Sequence, residues 1–294
     1  MATKNPLISK AVVADVVIRR WTGRKLDRVV TDEVNQSYDA SEDAGRYNKL
    51  LLSKEAFAEI RQVVSQARTK HLLMTLAWAD SGFRMLPMTL FDDFRKTFNK
   101  YSDEFNAAAD KFNTNFERYK LARKKELGKT FREEDYPDPS RVRSMFDFKT
   151  IIRPCPNVDD FRITVAKEHM EDITDGLRKE MEEALKESLH EPLRRIIKVV
   201  GKMSTKLENF VPGDEDTEAE NTFRDSLVNN VRGLVPLLSA FNLTGDKELD
   251  ALIKRVDKEL CALDAPILRE DEDKRKKVQK AAEDILKKAN ALMA

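Results

Sequence analysis

Phe91, Phe98, Phe105, Phe112 and Tyr119 stand seven residues apart, and Phe94, Tyr101, Ala108 and Asn115 repeat that spacing three residues on. A 3.5-residue interval held over four heptads predicts one long helix with a face pressed along a partner. Run to its expected end near Leu127-Gly128, at 1.5 Å per residue it is about 55 Å long. Its outer positions, among them Asp92, Arg95, Lys96, Lys100, Asp103 and Glu104, are mixed in sign and suit water. Phe91, Phe94, Phe98, Tyr101, Phe105, Phe112 and Tyr119 form the expected assembly seam, with Asn115 as its register device. Rings at these positions need small or flexible residues opposite. The expected partner is therefore the aliphatic, Met-rich face of residues 170–207, or the same helix of a neighbouring copy. Core is the plain reading of the stripe; a ligand groove or a membrane-facing strip is the other.

The other elements follow from shorter patterns. Ala11 to Trp21 is β-branched and reads as a strand, turned by Thr22-Gly23. Leu26 to Tyr38 places apolar residues at 26, 29, 30 and 34, a helical spacing. Ser53 reads as the N-cap of a helix to Leu73, and Leu76 to Pro87 as a connector anchored by Trp78 and Phe83. Phe146–Arg153 and Phe161–Val165 predict a small antiparallel hairpin joined by the N-terminal strand. A second long helix runs from Ala166 to Leu207, to be kinked or restarted at Pro192. Paired with the aromatic helix it makes an antiparallel helical hairpin, with the sheet and the basic end of the first helix at one tip. Pro212 to Asn221, acidic and helix-breaking, sets a boundary. The expected organisation is mainly α in an α+β class, with an elongated domain over 1–210 and a C-terminal helical module over 211–294.

Charge separates the candidate chemistries. The chain has 294 residues and a net charge of +1, so no global field draws it to nucleic acid or lipid. The charge is segregated instead. Residues 1–30 hold seven Lys/Arg against two Asp, and Arg118 to Arg132 seven against one Glu. A helix macrodipole favours cations only in its last turn, so Arg118 and Lys120 need another reason. The nucleic-acid-binding candidates are therefore Arg19, Arg20, Trp21, Arg24 and Lys25, then Arg118, Lys120, Arg123, Lys124, Lys125, Lys129 and Arg132, then Arg141, Arg143 and Arg153. Trp21 either stacks on a base or lies buried beneath basic stems. Glu133, Glu134, Asp135 and Asp138 can hold a hard cation or pair with neighbouring Lys and Arg; no metal motif accompanies them, and pairing is expected. His71 and His190 read as packing or surface residues. Cys155, between two prolines, is the one nucleophile candidate, without a supporting motif. No catalytic residue, cofactor or metal site is expected. Two distant cysteines and the lack of a membrane-length apolar run or a signal-like N-terminus predict a cytoplasmic protein without disulfides.

Five segments together resemble an uncharacterised family carried by bacteriophages, plasmids and integrative conjugative elements: IRRWTGRKLD, GRYNKLLL, LAWADSGFRMLP, FREEDYPDP and IIRPCPNVDDFRI. The resemblance spans roughly residues 14–200 and brings no catalytic residue with it. Genes of that family sit near those of a MoxR-type AAA+ ATPase and a von Willebrand factor A-type protein, which resemble cobaltochelatase subunits. In some conjugative elements they sit near single-strand annealing and exonuclease genes. It implies a bacterial host cytoplasm and these two proteins as candidate partners. Three functions compete: a non-enzymatic structural or adaptor protein that forms a homo-oligomer through long helices, a DNA-binding accessory in recombination or DNA protection, and a metal nuclease. The first is favoured.

Overall fold

The computed structural model describes residues 9–78, 82–156, 170–213 and 217–293, with the backbone alone over 170–174. Its elements are β1 (Ala11–Arg19), β2 (Arg24–Leu26), α1 (Arg28–Ser37), β3 (Asn48–Leu50), α2 (Ala58–Met74), β4 (Leu76–Ala77), β5 (Arg84–Pro87), α3 (Phe91–Leu127), α4 (Pro139–Val142), β6 (Asp147–Pro154), α5 (Met170–Glu208), α6 (Ser226–Phe241), α7 (Lys247–Arg255), α8 (Ala265–Glu270) and α9 (Glu272–Met293). The class is mainly α with a small antiparallel sheet, as expected. One sheet has the order β4-β5-β1-β6, with β1 antiparallel to β5 and β5 to β4; β2 and β3 form a separate antiparallel ribbon. The connector expected at 76–87 thus supplies two strands, and β6 neighbours β1. Residues 161–165, the expected second hairpin strand, lie outside the described residues.

The chain divides into two compact units interleaved in sequence. The central unit comprises Val16–His71 and Asp93–Ile151; the terminal unit comprises Met1–Asp15, Leu72–Asp92 and Ile152–Ala294. A single cut near 211 does not describe this division.

In the central unit α3 carries the aromatic seam. Phe94, Phe98, Phe105 and Phe112 are buried. Their partners differ from those expected. Phe57 stacks on Phe112 at 4.9 Å, Phe146 stands 5.2 Å from Phe112, and Phe148 5.6 Å from Phe105. His71 packs 6.0 Å from both Phe94 and Phe98. Rings meet rings because tilted and edge-on aromatic pairs gain more than area burial alone. The inward stripe also leaves the heptad: Phe116 is buried and Tyr119 is not, the drift expected of a straight 3.6-residue helix. Asn115 sets no register, since its amide donates to Lys111 O on its own helix.

In the terminal unit the apolar face of α5 turns to the C-terminal helices. Leu193, Ile196, Val200, Met203 and Leu207 share one core with Val231, Leu238, Ile253, Val256 and Ile285. α9 is the main neighbour of α5. This pairing replaces the expected one between residues 170–207 and the aromatic seam. It also explains why residues after 211 are not a separate module. α5 runs through Pro192 as one helix, without the expected restart. Arg195, one turn on, donates to Leu72 O, Leu73 O and Thr75 O and lies 4.6 Å over Phe241. It satisfies carbonyls that the end of α2 leaves without helical donors.

Candidate nucleic-acid interface

A buried ammonium organises the basic part of the central unit. After β1 the chain turns at Gly23, where φ is +63° and an added Cβ would lie 2.8 Å from the Phe57 ring. It then enters the β2–β3 ribbon, with Arg24 opposite Leu50 and Lys25 opposite Lys49. Lys49 is 1% exposed. Its Nζ stands 2.7 Å from Asp27 Oδ2 and 2.5 Å from Asp135 Oδ2, and donates to Thr130 O at 2.7 Å. Lys25 reaches the other Asp135 oxygen at 2.9 Å. Burial would lower the Lys49 pKa, but hydrogen bonds to Asp135 and Asp27 outweigh it and raise the value. The Lys49 hydrogen bond is the main reason that Asp27 is held below the usual carboxylate range. Burial pushes Asp135 up, yet Lys49 and Lys25 hold it down. Two further bonds fasten β3 to the chain around the end of α3: Arg123 Nε donates to Leu50 O at 3.0 Å, and the Tyr136 hydroxyl to Leu51 O at 2.7 Å.

α1 forms where the apolar spacing predicted a helix, with polar residues on its inner side. Thr31 and Asn35 face inward, while Val29 and Val34 are exposed and Tyr38 is 80% exposed. The buried polar groups are satisfied. The Thr31 hydroxyl donates to Asp27 O and accepts from Tyr47 N–H, and the Asn35 amide donates to Glu42 O and Gly45 O. Such pairing is what makes a polar inner face tolerable.

Two basic groups flank the β2–β3 ribbon. In the first, Arg20 and Arg24 are joined by Arg61 and Arg68 of α2. Burial and then Arg68, Arg61 and Arg24 hold the Arg20 guanidinium below its ordinary value. Among the described residues, Arg20, Arg24 and Arg68 have no ion pair. Glu55 feels Arg61, although hydrogen bonds with its own backbone and Ser53 lower it more. Arg61 and Arg68 escaped the sequence reading because they lie two turns apart on an ordinary solvated helix face, far in sequence from Arg20 and Arg24.

The second group is the end of α3, where the candidates part. Lys125, Lys129 and Arg132 are exposed and unpaired among the described residues, as is Arg141. Lys124 lies 5.0 Å over the Phe131 ring and Arg118 5.4 Å over Tyr119. Lys120 is tied to Glu117 at 2.9 Å and Glu133 at 2.6 Å; Arg123 pairs with Glu126. Arg143 is held by Asp110 at 2.5 Å, Arg19 donates to Ser144 O, and Arg153, in the terminal unit, lies 4.8 Å over Phe83. Trp21 meets Phe57, Phe112 and Phe116 edge-on and belongs to the aromatic core rather than to a stacking platform. Of the four carboxylates at 133–138, Glu133 and Asp135 pair with lysines and Asp138 accepts from Ser140 N–H.

Cys155 is buried, its thiol donates to Ala11 O at 3.4 Å, and burial pushes it up to about 11. It is a neutral thiol at neutral pH, not a poised nucleophile. Among the described residues no cluster of His, Cys, Asp and Glu is placed to hold a metal ion, and no helix is long and apolar enough to cross a membrane. No family model matches the chain, and neither a curated protein nor a solved structure matches it.

Proposed function

We propose that this chain is a non-enzymatic, DNA-binding accessory protein whose central unit holds the duplex through phosphate contacts without reading bases. The observation that carries this reading is Arg20, whose guanidinium is held below its ordinary value by burial and then by the like charges of Arg68, Arg61 and Arg24, in a group where Arg20, Arg24 and Arg68 have no ion pair among the described residues. Guanidinium groups in that arrangement suit phosphate oxygens, which each fork can bind in bidentate fashion. Lys125, Lys129 and Arg132 extend the same sign beyond the ribbon. With Trp21 engaged in the core, the contacts left are to phosphate. The resemblance to a phage and mobile-element family makes DNA the polyanion to test, in recombination or DNA protection.

A second reading, a structural or adaptor protein, draws on a different observation. Exposed apolar surface lies at Val29 and Val34 of α1 and at Tyr38, its C-terminal cap, with Val34 and Tyr38 one turn apart. It suits a protein partner, such as the AAA+ ATPase or von Willebrand factor A-type protein implied by the resemblance, or a second copy. Phe94, Phe98, Phe105 and Phe112 of the aromatic seam are buried within the central unit.

A mobility-shift titration of mixed-sequence duplex DNA against salt separates the two. The unaltered chain should bind at low salt, with log K falling linearly in log salt. Changing Arg20, Arg24, Arg61 and Arg68 to Gln should weaken binding and shrink the slope by about 0.9 per lost phosphate contact. Changing Arg95 and Lys96, on the solvated face of α3, should leave it alone. No binding at low salt, or the same loss from both sets, rejects the DNA reading. Divalent-dependent cleavage of the duplex would replace it with a nuclease.

A further inference from the structure

We propose that a cleft in the terminal unit, formed between α5 and the segment entering α6, binds a small phosphorylated anion. The cleft has a volume of about 220 Å³. Lys202 and Lys206, one turn apart on α5, stand on one side, and Arg224 and Ser226 on the other. Phe223 and Leu227 are also among its lining residues, and both are buried.

Four features point to an anion. Among the described residues no carboxylate lines the cleft. Among the described residues none of Lys202, Lys206 and Arg224 has an ion pair, in a chain where Lys and Arg number 53 against 52 Asp and Glu. Asp225, the acid next in sequence to Arg224, is already held by both terminal nitrogens of Arg269 at 3.2 Å. The concave shape and the apolar side chains within it lower the local dielectric, which strengthens what the three cations exert on an entering charge.

The charge count and the size set the class. Three cations suit a doubly charged phosphomonoester better than a single carboxylate. An arginine fork offers parallel donors to two phosphate oxygens, and the lysines act as point charges. The volume lies below the roughly 300–1,000 Å³ of sites for drug-sized ligands. It admits a phosphate with a small substituent. The walls are set before binding: Phe223 packs edge-on against Phe210 at 5.2 Å, and its carbonyl accepts from Arg269. The lysines stand on a helix anchored by Met203 and Leu207 in the core. A preorganised site loses less entropy on binding.

Titration calorimetry on the full chain at fixed ionic strength tests this, with glycerol phosphate and inorganic phosphate as probes and acetate as control. Glycerol phosphate should bind one to one, inorganic phosphate more weakly, and acetate not at all. Lys202→Gln with Lys206→Gln should weaken binding by roughly tenfold or more, as should Arg224→Gln. All three residues are partly or fully exposed, so these variants should keep the circular dichroism and melting temperature of the unaltered chain. The quadruple Arg20, Arg24, Arg61 and Arg68 variant should bind glycerol phosphate normally, which distinguishes this site from the DNA surface. Equal binding of acetate, or undiminished affinity in the lysine pair variant, overturns the proposal.

Discussion

Lys49→Met is the sharpest test of how the central unit is held together. The substitution keeps the apolar stem and removes an ammonium that is 1% exposed and bound to Asp27, Asp135 and Thr130 O. Asp135 retains Lys25, but Asp27 is left as a buried carboxylate with, among the described residues, the Val30 N–H as its one side-chain donor. Removing one member of a buried ion pair costs about 3–5 kcal/mol. With a urea m-value of about 2 kcal/mol/M, the unfolding midpoint should fall by roughly 2 M. Trp21 lies in the aromatic core of the central unit, so its fluorescence in a Trp78→Phe background follows that unit. The pH dependence adds a second signature. In the unaltered chain Asp27 and Asp135 are depressed, so their contribution is present above the unfolded value near 3.9 and is lost as pH falls through the folded values. In the variant, burial without its partner raises Asp27 above 3.9, and the resulting penalty grows as pH rises. The gap between the two proteins should therefore narrow from pH 7 toward pH 4. Adding Asp27→Asn, which keeps the α1 cap, should recover a large part of the loss. A loss below about 1 kcal/mol at pH 7, or one that does not change with pH, would refute the claim that this ion cluster fastens the ribbon.

Phe112→Ala, at a ring 2% exposed with aromatic neighbours on several elements, should cost about 3–5 kcal/mol in the same urea assay. Gly23→Ala should destabilise by about 1–3 kcal/mol, because it combines a positive φ with a 2.8 Å approach to Phe57; denaturation measures it. Cys155 should react with Ellman's reagent at pH 8 only after unfolding, since burial both covers the thiol and raises its pKa to about 11.

The strong periodicities carried the class and the long helix. Heptad rings from Phe91 to Phe112 specify a buried face whatever lies opposite, because that much aromatic surface cannot stay in water. Ala11–Arg19 is a strand for a similarly local reason, and the segregation of Lys and Arg into 1–30 and 118–132 is plain in the order of residues. What a face packs against is not a local property. The aliphatic face of residues 193–207 is equally compatible with aromatic and aliphatic partners, and only the closed structure commits it to α6, α7 and α9. Apolar residues at 26, 29, 30 and 34 predicted the helix α1, but periodicity records spacing and does not say which side turns inward. Thr31 and Asn35 face inward instead, bonded to the segment that follows the helix at Tyr47 N–H and Glu42 O. The same limit governs the candidate interface. Sequence showed the positive charge, but which cations are neutralised depends on carboxylates brought close by folding, as at Lys120 with Glu133 and Arg143 with Asp110. The Arg20 group required two arginines from α2 that no linear pattern ties to the β1–β2 turn.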